Sequence, residues 1–90
     1  MTSEKITVAI VTPVHNRREL TLLCLRSLER IDRTGLEVRI IIVDDGSTDG
    51  TTEAVRREFP SVELIAGNGD LWFTEGTNVG IRAALKKEVD

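Results

Sequence analysis

The chain has 90 residues, with 12 basic and 15 acidic side chains for a formal net charge of −3, and is 40% hydrophobic and 30% charged; this fits one small domain or part of one. It has no basic surplus for gripping phosphate backbones by charge alone, and Phe59, Trp72 and Phe73 are too few aromatic platforms for a single-strand-binding or lectin-like surface. A single cysteine, Cys24, and a single histidine, His15, exclude a zinc tetrad and an internal disulfide, and no apolar run nears the roughly 18 residues of a membrane span, so the chain reads as soluble and unsecreted.

Residues 6–11 (ITVAIV) are almost continuously apolar and β-branched, the pattern of a strand covered on both faces, and predict a first strand over 5–11. Pro13 follows, and Asn16 with Glu19 three residues later resembles a capping box, so a helix is expected from about Arg17 to before Gly35. Its inward stripe is read as Leu20, Leu23, Cys24, Ser27, Leu28 and Ile31, which makes Cys24 a core residue. The plan then repeats. Residues 38–43 (VRIIIV) predict a second strand, Asp44 to Asp49 a turn rich in capping residues, and 50–58 a short helix with Ala54, Val55 and Phe59 inward and Pro60 as its stop. A third strand (62–66), the loop Gly67-Asn68-Gly69-Asp70 and a helix from about 75, with Ile81, Ala84, Leu85 and Val89 on one stripe, complete a βαβαβα order. Such alternation implies a parallel sheet with right-handed crossovers, whose three strand-to-helix loops all open at one carboxyl edge.

Asp44-Asp45, directly after a buried strand, stands where ligands bind in open α/β sheets; the plainer alternative is that Asp49, Ser47 or Thr48 caps the second helix and Asp44 or Asp45 stabilises the turn. His15 lies beside the same edge, either as an ordinary surface histidine or as a base-contacting group. Three familiar ligand motifs fail. Residues 45–50 begin like an EF-hand, but the twelfth position is Arg56 where a bidentate Glu is needed. Gly67-Asn68-Gly69 has Trp72 at the third glycine of a dinucleotide fingerprint, and no GxxxxGK[ST] occurs. No metal site is expected in this chain.

Taken together, Thr12-Pro13-Val14-His15-Asn16-Arg17, IIIVDDGSTDGT (40–51) and GNGDLWFTEGTNVGIRAAL (67–85) resemble the amino-terminal half of a family 2 inverting glycosyltransferase of the GT-A fold. The third block is similar to rhamnosyltransferase-like members, in which GNG-x-LW and G-x-N-x-G recur. The resemblance spans nearly the whole chain. It implies a single truncated nucleotide-sugar-binding domain over 1–90, a three-layer half of a Rossmann-like α/β fold with helices on both faces of a parallel sheet. By position it makes Pro13, Val14 and His15 the floor and wall of a nucleotide pocket, with His15 where the family has Tyr or Phe. Asp45 becomes the acceptor for the ring N–H of uracil or thymine, Asp44 the support of its turn, and Gly76 and Asn78 neighbours of the nucleotide sugar. Glu75 departs from the family's Gly. The implied partners are a UDP- or dTDP-sugar donor and a saccharide or lipid-linked acceptor, with a cytoplasmic location, in solution or at the inner face of the membrane.

In that family Mg²⁺ or Mn²⁺ is held by a D-x-D motif after a fourth strand, and a later carboxylate is the catalytic base; neither occurs here, so the fragment alone is expected to be inactive. The first strand would then be left with an open edge through which copies of the chain self-associate. Two readings from other classes compete. A receiver-like signalling domain would put its acidic pair after the first strand and a phospho-accepting Asp after the third, whereas these strands end in Thr12-Pro13 and Ala66-Gly67. A non-catalytic α/β interaction module would keep the half-fold without the chemistry.

Overall fold

The computed structural model describes residues 6–86, apart from the side chains of residues 72–74. Strands and helices alternate as β1 (Ile6–Val14), α1 (Arg18–Glu29), β2 (Leu36–Asp45), α2 (Thr51–Glu58), β3 (Glu63–Gly67) and α3 (Trp72–Leu85). The strands make one parallel sheet in the order β1-β2-β3, the arrangement that helical crossovers permit and tight hairpins do not. The α/β class and the helices on both faces agree with expectation.

β2 is central and carries the core. Ile42 points to one face, where it joins Leu22 and Leu25 of α1 and Ala54, Val55 and Phe59 around α2. Ile41 and Val43 point to the other, against Ala84 and Val79 of α3 and Leu71 before it. Successive side chains of a strand alternate between faces, so an unbroken run such as IIIV must be covered on both. Each fully buried Leu, Ile or Val here contributes roughly 1.5–3 kcal/mol. Arg39 closes the far end of the α3 face: its guanidinium meets Glu63 of β3 at 2.7 and 2.8 Å and donates to the Ala84 carbonyl of α3 at 3.1 Å.

β1 runs three residues further than expected, through Pro13 to Val14, pairing Pro13 with Val43 and Val14 with Asp44; Lys5, its expected first residue, lies outside the described residues. Pro13 is tolerated because β1 is an edge strand among the described residues. The Ile6 N–H donates toward β2, to the Gly35 carbonyl, so alternation turns the odd-numbered positions outward, and the N–H that proline lacks is one the ladder does not use.

Both outer helices present a different face from the one expected. In α1 the buried residues are Thr21, Leu22 and Leu25; Leu20 and Leu23 are 63% and 58% exposed, and Cys24 is exposed rather than core. α1 carries apolar residues on two overlapping helical stripes, and packing against α2 selects the 21/22/25 stripe. In α3 the sheet contact runs along Gly76, Gly80 and Ala84, all buried, while Ile81 and Leu85 are 43% and 68% exposed. A β-carbon on Gly80 would lie 2.1 Å from Val11 Cγ1, and one on Gly76 would lie 3.0 Å from Pro13 Cβ. The helix therefore approaches the sheet almost backbone to side chain, with Ile81 and Leu85 facing away. Val89, the last member of the expected stripe, lies outside the described residues. No helix among the described residues is long and apolar enough to cross a membrane.

Candidate functional site

All three strand-to-helix loops meet at the carboxyl edge of the sheet, and hydrogen bonds tie each to the next. Asp44 and Asp45 are the last residues of β2 and are both buried. As neighbours in a strand they send their carboxylates to opposite faces. Asp44 turns toward α2, where Oδ1 accepts from the Ser47 amide at 3.1 Å and Oδ2 from the Thr52 hydroxyl. Asp45 turns toward the β3–α3 loop: Oδ1 accepts from the Gly69 amide at 2.8 Å and Oδ2 from the Leu71 amide at 3.0 Å. The two loops also touch through their backbones. Gly46, at φ +70°, sits so close that a β-carbon there would be 2.8 Å from Gly69 N and Cα, a contact open only to glycine on both counts.

The expected capping box is not formed. Arg17 is the N-cap of α1 and makes no side-chain cap bond. Asn16 instead bridges to the β2–α2 turn, its amide N–H donating to Ser47 Oγ at 2.9 Å and its Oδ1 accepting from the Thr48 amide at 2.7 Å. The free amide of Arg18 donates to Asp49 Oδ2 at 3.1 Å, while Asp49 Oδ1 accepts from the Thr51 amide at 3.1 Å and from the Thr51 hydroxyl. One carboxylate thus serves the first turns of both α1 and α2, where negative charge also suits the helix dipoles.

The Thr51 hydroxyl holds the Asp49 carboxyl below the usual carboxylate range; burial opposes it, and the Arg18 and Thr51 amides add to the lowering. A depressed folded-state value stabilises the fold above the unfolded value, near pH 4, and that contribution is lost as pH falls through the lower folded one. Acid unfolding followed by circular dichroism should therefore show an Asp49-dependent loss of stability below about pH 4 that Asp49→Asn lacks. Identical acid profiles for the two chains would contradict the shared cap.

Pro13, Val14 and His15 line a cleft of about 280 Å³ on the α1 side of the edge, together with Leu20 and Cys24 of α1. His15 is exposed, and its Nδ1 donates to the Asp45 carbonyl at 2.5 Å. Among the residues singled out from sequence, Pro13, Val14, His15, Asp44 and Asp45 are thus gathered at one edge. Gly76 joins them from α3 by packing on Pro13. Asn78 does not: two residues past Gly76 on a helix is about 200° of rotation, and it lies exposed on the side away from the sheet. Glu75 is likewise exposed, paired with Arg82 at 3.0 Å. Sequence reasoning missed the bridging roles of Asn16 and Asp49 and the capture of Asp45 by the Gly69 and Leu71 amides. The glycine-rich turn 67–70 was the signal for the last of these, since such turns present free amides. Among the described residues no group of three or more His, Cys, Asp or Glu converges to hold a metal ion.

A family model described as "Glycosyl transferase family 2" matches residues 9–87. No curated protein matches the chain. Among solved structures, the mannosyltransferase PcManGT from Pyrobaculum calidifontis, in complex with GDP-Man and Mn²⁺, superposes with a TM-score of 0.71 at 23% identity, over 89% of this chain. This chain spans 24% of the length of that protein.

Proposed function

The chain belongs to glycosyl transferase family 2, and from that premise we propose that it forms the nucleotide-binding part of an enzyme that transfers a sugar from a UDP- or dTDP-sugar to an acceptor with inversion. The observation that carries the base preference is the placement of Asp45. Its carboxylate is buried at the carboxyl edge, oriented by two backbone amides, and can only accept hydrogen bonds when ionised. An ionised carboxylate accepts several hydrogen bonds and donates none, so the ring N–H of uracil or thymine suits this acceptor, whereas the unprotonated ring nitrogen of cytosine presents lone pair to lone pair. Pro13, Val14 and His15 supply the wall of the base cleft, Asp44 its turn, and Gly76 the close approach of α3; Asn78 is the weakest member of this set. The GNGDLW block supports a rhamnosyltransferase-like subtype, and the family a saccharide or lipid-linked acceptor met in the cytoplasm.

The Pyrobaculum calidifontis mannosyltransferase is in complex with GDP-Man and Mn²⁺. Guanine also shows ring and exocyclic N–H groups to a carboxylate, so it is the second base this site suits. The residues here do not fit the metal: the carboxylates of Asp44, Asp45 and Asp49 are each engaged by N–H or O–H donors, and no converging group exists among the described residues. No metal ligand and no catalytic base are assigned among the described residues. Equilibrium titration should give UDP and dTDP affinities at least about tenfold tighter than CDP, the cost of one mispaired buried acceptor. Equal affinities for UDP, dTDP, GDP and CDP would overturn the assignment of Asp45.

β1 is an edge strand whose outward positions, Ala9 and Val11 among them, face no strand among the described residues, and only Pro13 blunts that edge. Ile6 at its start and Leu20 and Leu23 on α1 are exposed. We therefore propose self-association through β1. Sedimentation should show mass rising with concentration; a compact monomer at high concentration would refute it.

A further inference from the structure

We propose that Asn16 is a positioning residue that sets the tautomer and orientation of the His15 imidazole. The use made of that ring rests on the nucleotide-binding reading above; the coupling of the two residues does not.

Asn16 holds φ +47°, the one non-glycine positive φ among the described residues, a conformation that asparagine tolerates better than most side chains. It is kept there by three bonds: its amide N–H to Ser47 Oγ, its Oδ1 from the Thr48 amide, and its Nδ2 facing His15 Nε2 at 3.3 Å. The Thr48 bond at 2.7 Å decides which way the side-chain amide points, because only its oxygen can accept from an N–H. Its NH₂ therefore faces Nε2, and Nε2 must offer a lone pair. The other end of the ring gives the same answer independently. The Asp45 carbonyl, 2.5 Å from Nδ1, can only accept, so Nδ1 carries the hydrogen. Both edges of the imidazole are then occupied, and its faces are left to the cleft.

The charged groups on the surrounding loops are committed elsewhere. The Asp44, Asp45 and Asp49 carboxylates hold the Ser47, Gly69, Leu71, Arg18 and Thr51 amides. Arg17 donates to the Asn16 carbonyl, and Arg18 lies 3.8 Å from Glu19. The tautomer is thus set by neutral hydrogen bonds, and the β2–α2 turn reaches the His15 ring through one side chain.

His15 is the only histidine, so its imidazole nitrogens can be read in long-range ¹H–¹⁵N spectra of the full chain without ambiguity. The wild-type ring should be protonated on Nδ1 and bare on Nε2. Asn16→Gly accommodates the backbone conformation but removes the amide, leaving the Asp45 carbonyl alone to hold the ring; a minority of the Nε2-protonated tautomer should appear, and UDP affinity should fall about fivefold, the worth of one hydrogen bond. Asn16→Asp keeps the acceptor for Thr48 but turns a second acceptor toward Nε2, and should place a proton there. It also serves where the glycine variant fails to fold.

A wild-type ring protonated on Nε2 would overturn the proposal. So would a tautomer untouched by either substitution. A tautomer that follows Asn16 in a chain that binds no UDP would sustain the coupling and remove the nucleotide reading instead; an altered tautomer with unchanged UDP affinity, or a His15→Ala chain that binds UDP as well as wild type, would sustain nucleotide binding and remove the ring from it.

Discussion

Gly80→Ala should destabilise the domain by about 2 kcal/mol or more, although alanine is the better helix former. The propensity gain at a mid-helix glycine is about 1 kcal/mol, while the added β-carbon would sit 2.1 Å from Val11 Cγ1 and 3.1 Å from Val43 Cγ2. Val11 cannot swing clear: it is β-branched, stiff at χ1, and its own Cβ is 3.4 Å from the new carbon. The helix must lift off the sheet, and overpacking of this kind costs about 1–3 kcal/mol, occasionally more. Ile81→Ala, one residue on, removes far more apolar volume from a side chain that is 43% exposed and should cost much less. Urea unfolding midpoints check the order; a midpoint for Gly80→Ala equal to or above that of Ile81→Ala would contradict the packing of α3.

Asp45→Ala should cost about 2–4 kcal/mol of stability, from two charge-assisted bonds to partly buried amides, and should weaken UDP binding by more than about tenfold. The loop from Gly67 to Leu71 is held to β2 by those amides, so its own resonances should broaden or move. Asp45→Asn keeps one acceptor oxygen but sets its NH₂ against the second amide, and should lie between the two. Wild-type stability and UDP affinity in Asp45→Ala would remove the role assigned to this residue.

The sheet was readable from sequence because its evidence is local and redundant. The run Ile41 to Val43 is buried on both faces, ITVAIV is half-buried beyond the exposed Ile6, and no helix tolerates so many β-branched residues as cheaply. Helix faces were not readable on the same terms. In α1, Leu20 and Leu23 compete with Leu22 and Leu25 for the inward stripe, and the choice belongs to Phe59 and Ala54 on another helix. In α3 the inward face is marked by small residues, Gly76, Gly80 and Ala84, which carry no hydrophobic signal because contact is made by close approach rather than by volume. The carboxyl edge as the place of the site was legible in Asp44-Asp45 after a buried strand. Its wiring was not: Asn16 to Ser47 and Thr48, Arg18 to Asp49, and Asp45 to Gly69 and Leu71 each join residues more than twenty positions apart, and the short-range capping pattern of Asn16 with Glu19 was the wrong guide for that reason.

The central claim, that a nucleotide base is read at the carboxyl edge by Asp45 and His15, is tested most directly by mapping backbone amide shifts while UDP is titrated into the chain. The predicted result is a saturable response confined to His15 and Asn16, to Asp44 through Ser47 and to Gly67 through Leu71, and absent with CDP at the same concentrations. Shifts centred on the opposite edge of the sheet, around Phe59 to Val62, or no response to UDP, dTDP and GDP alike, would contradict it.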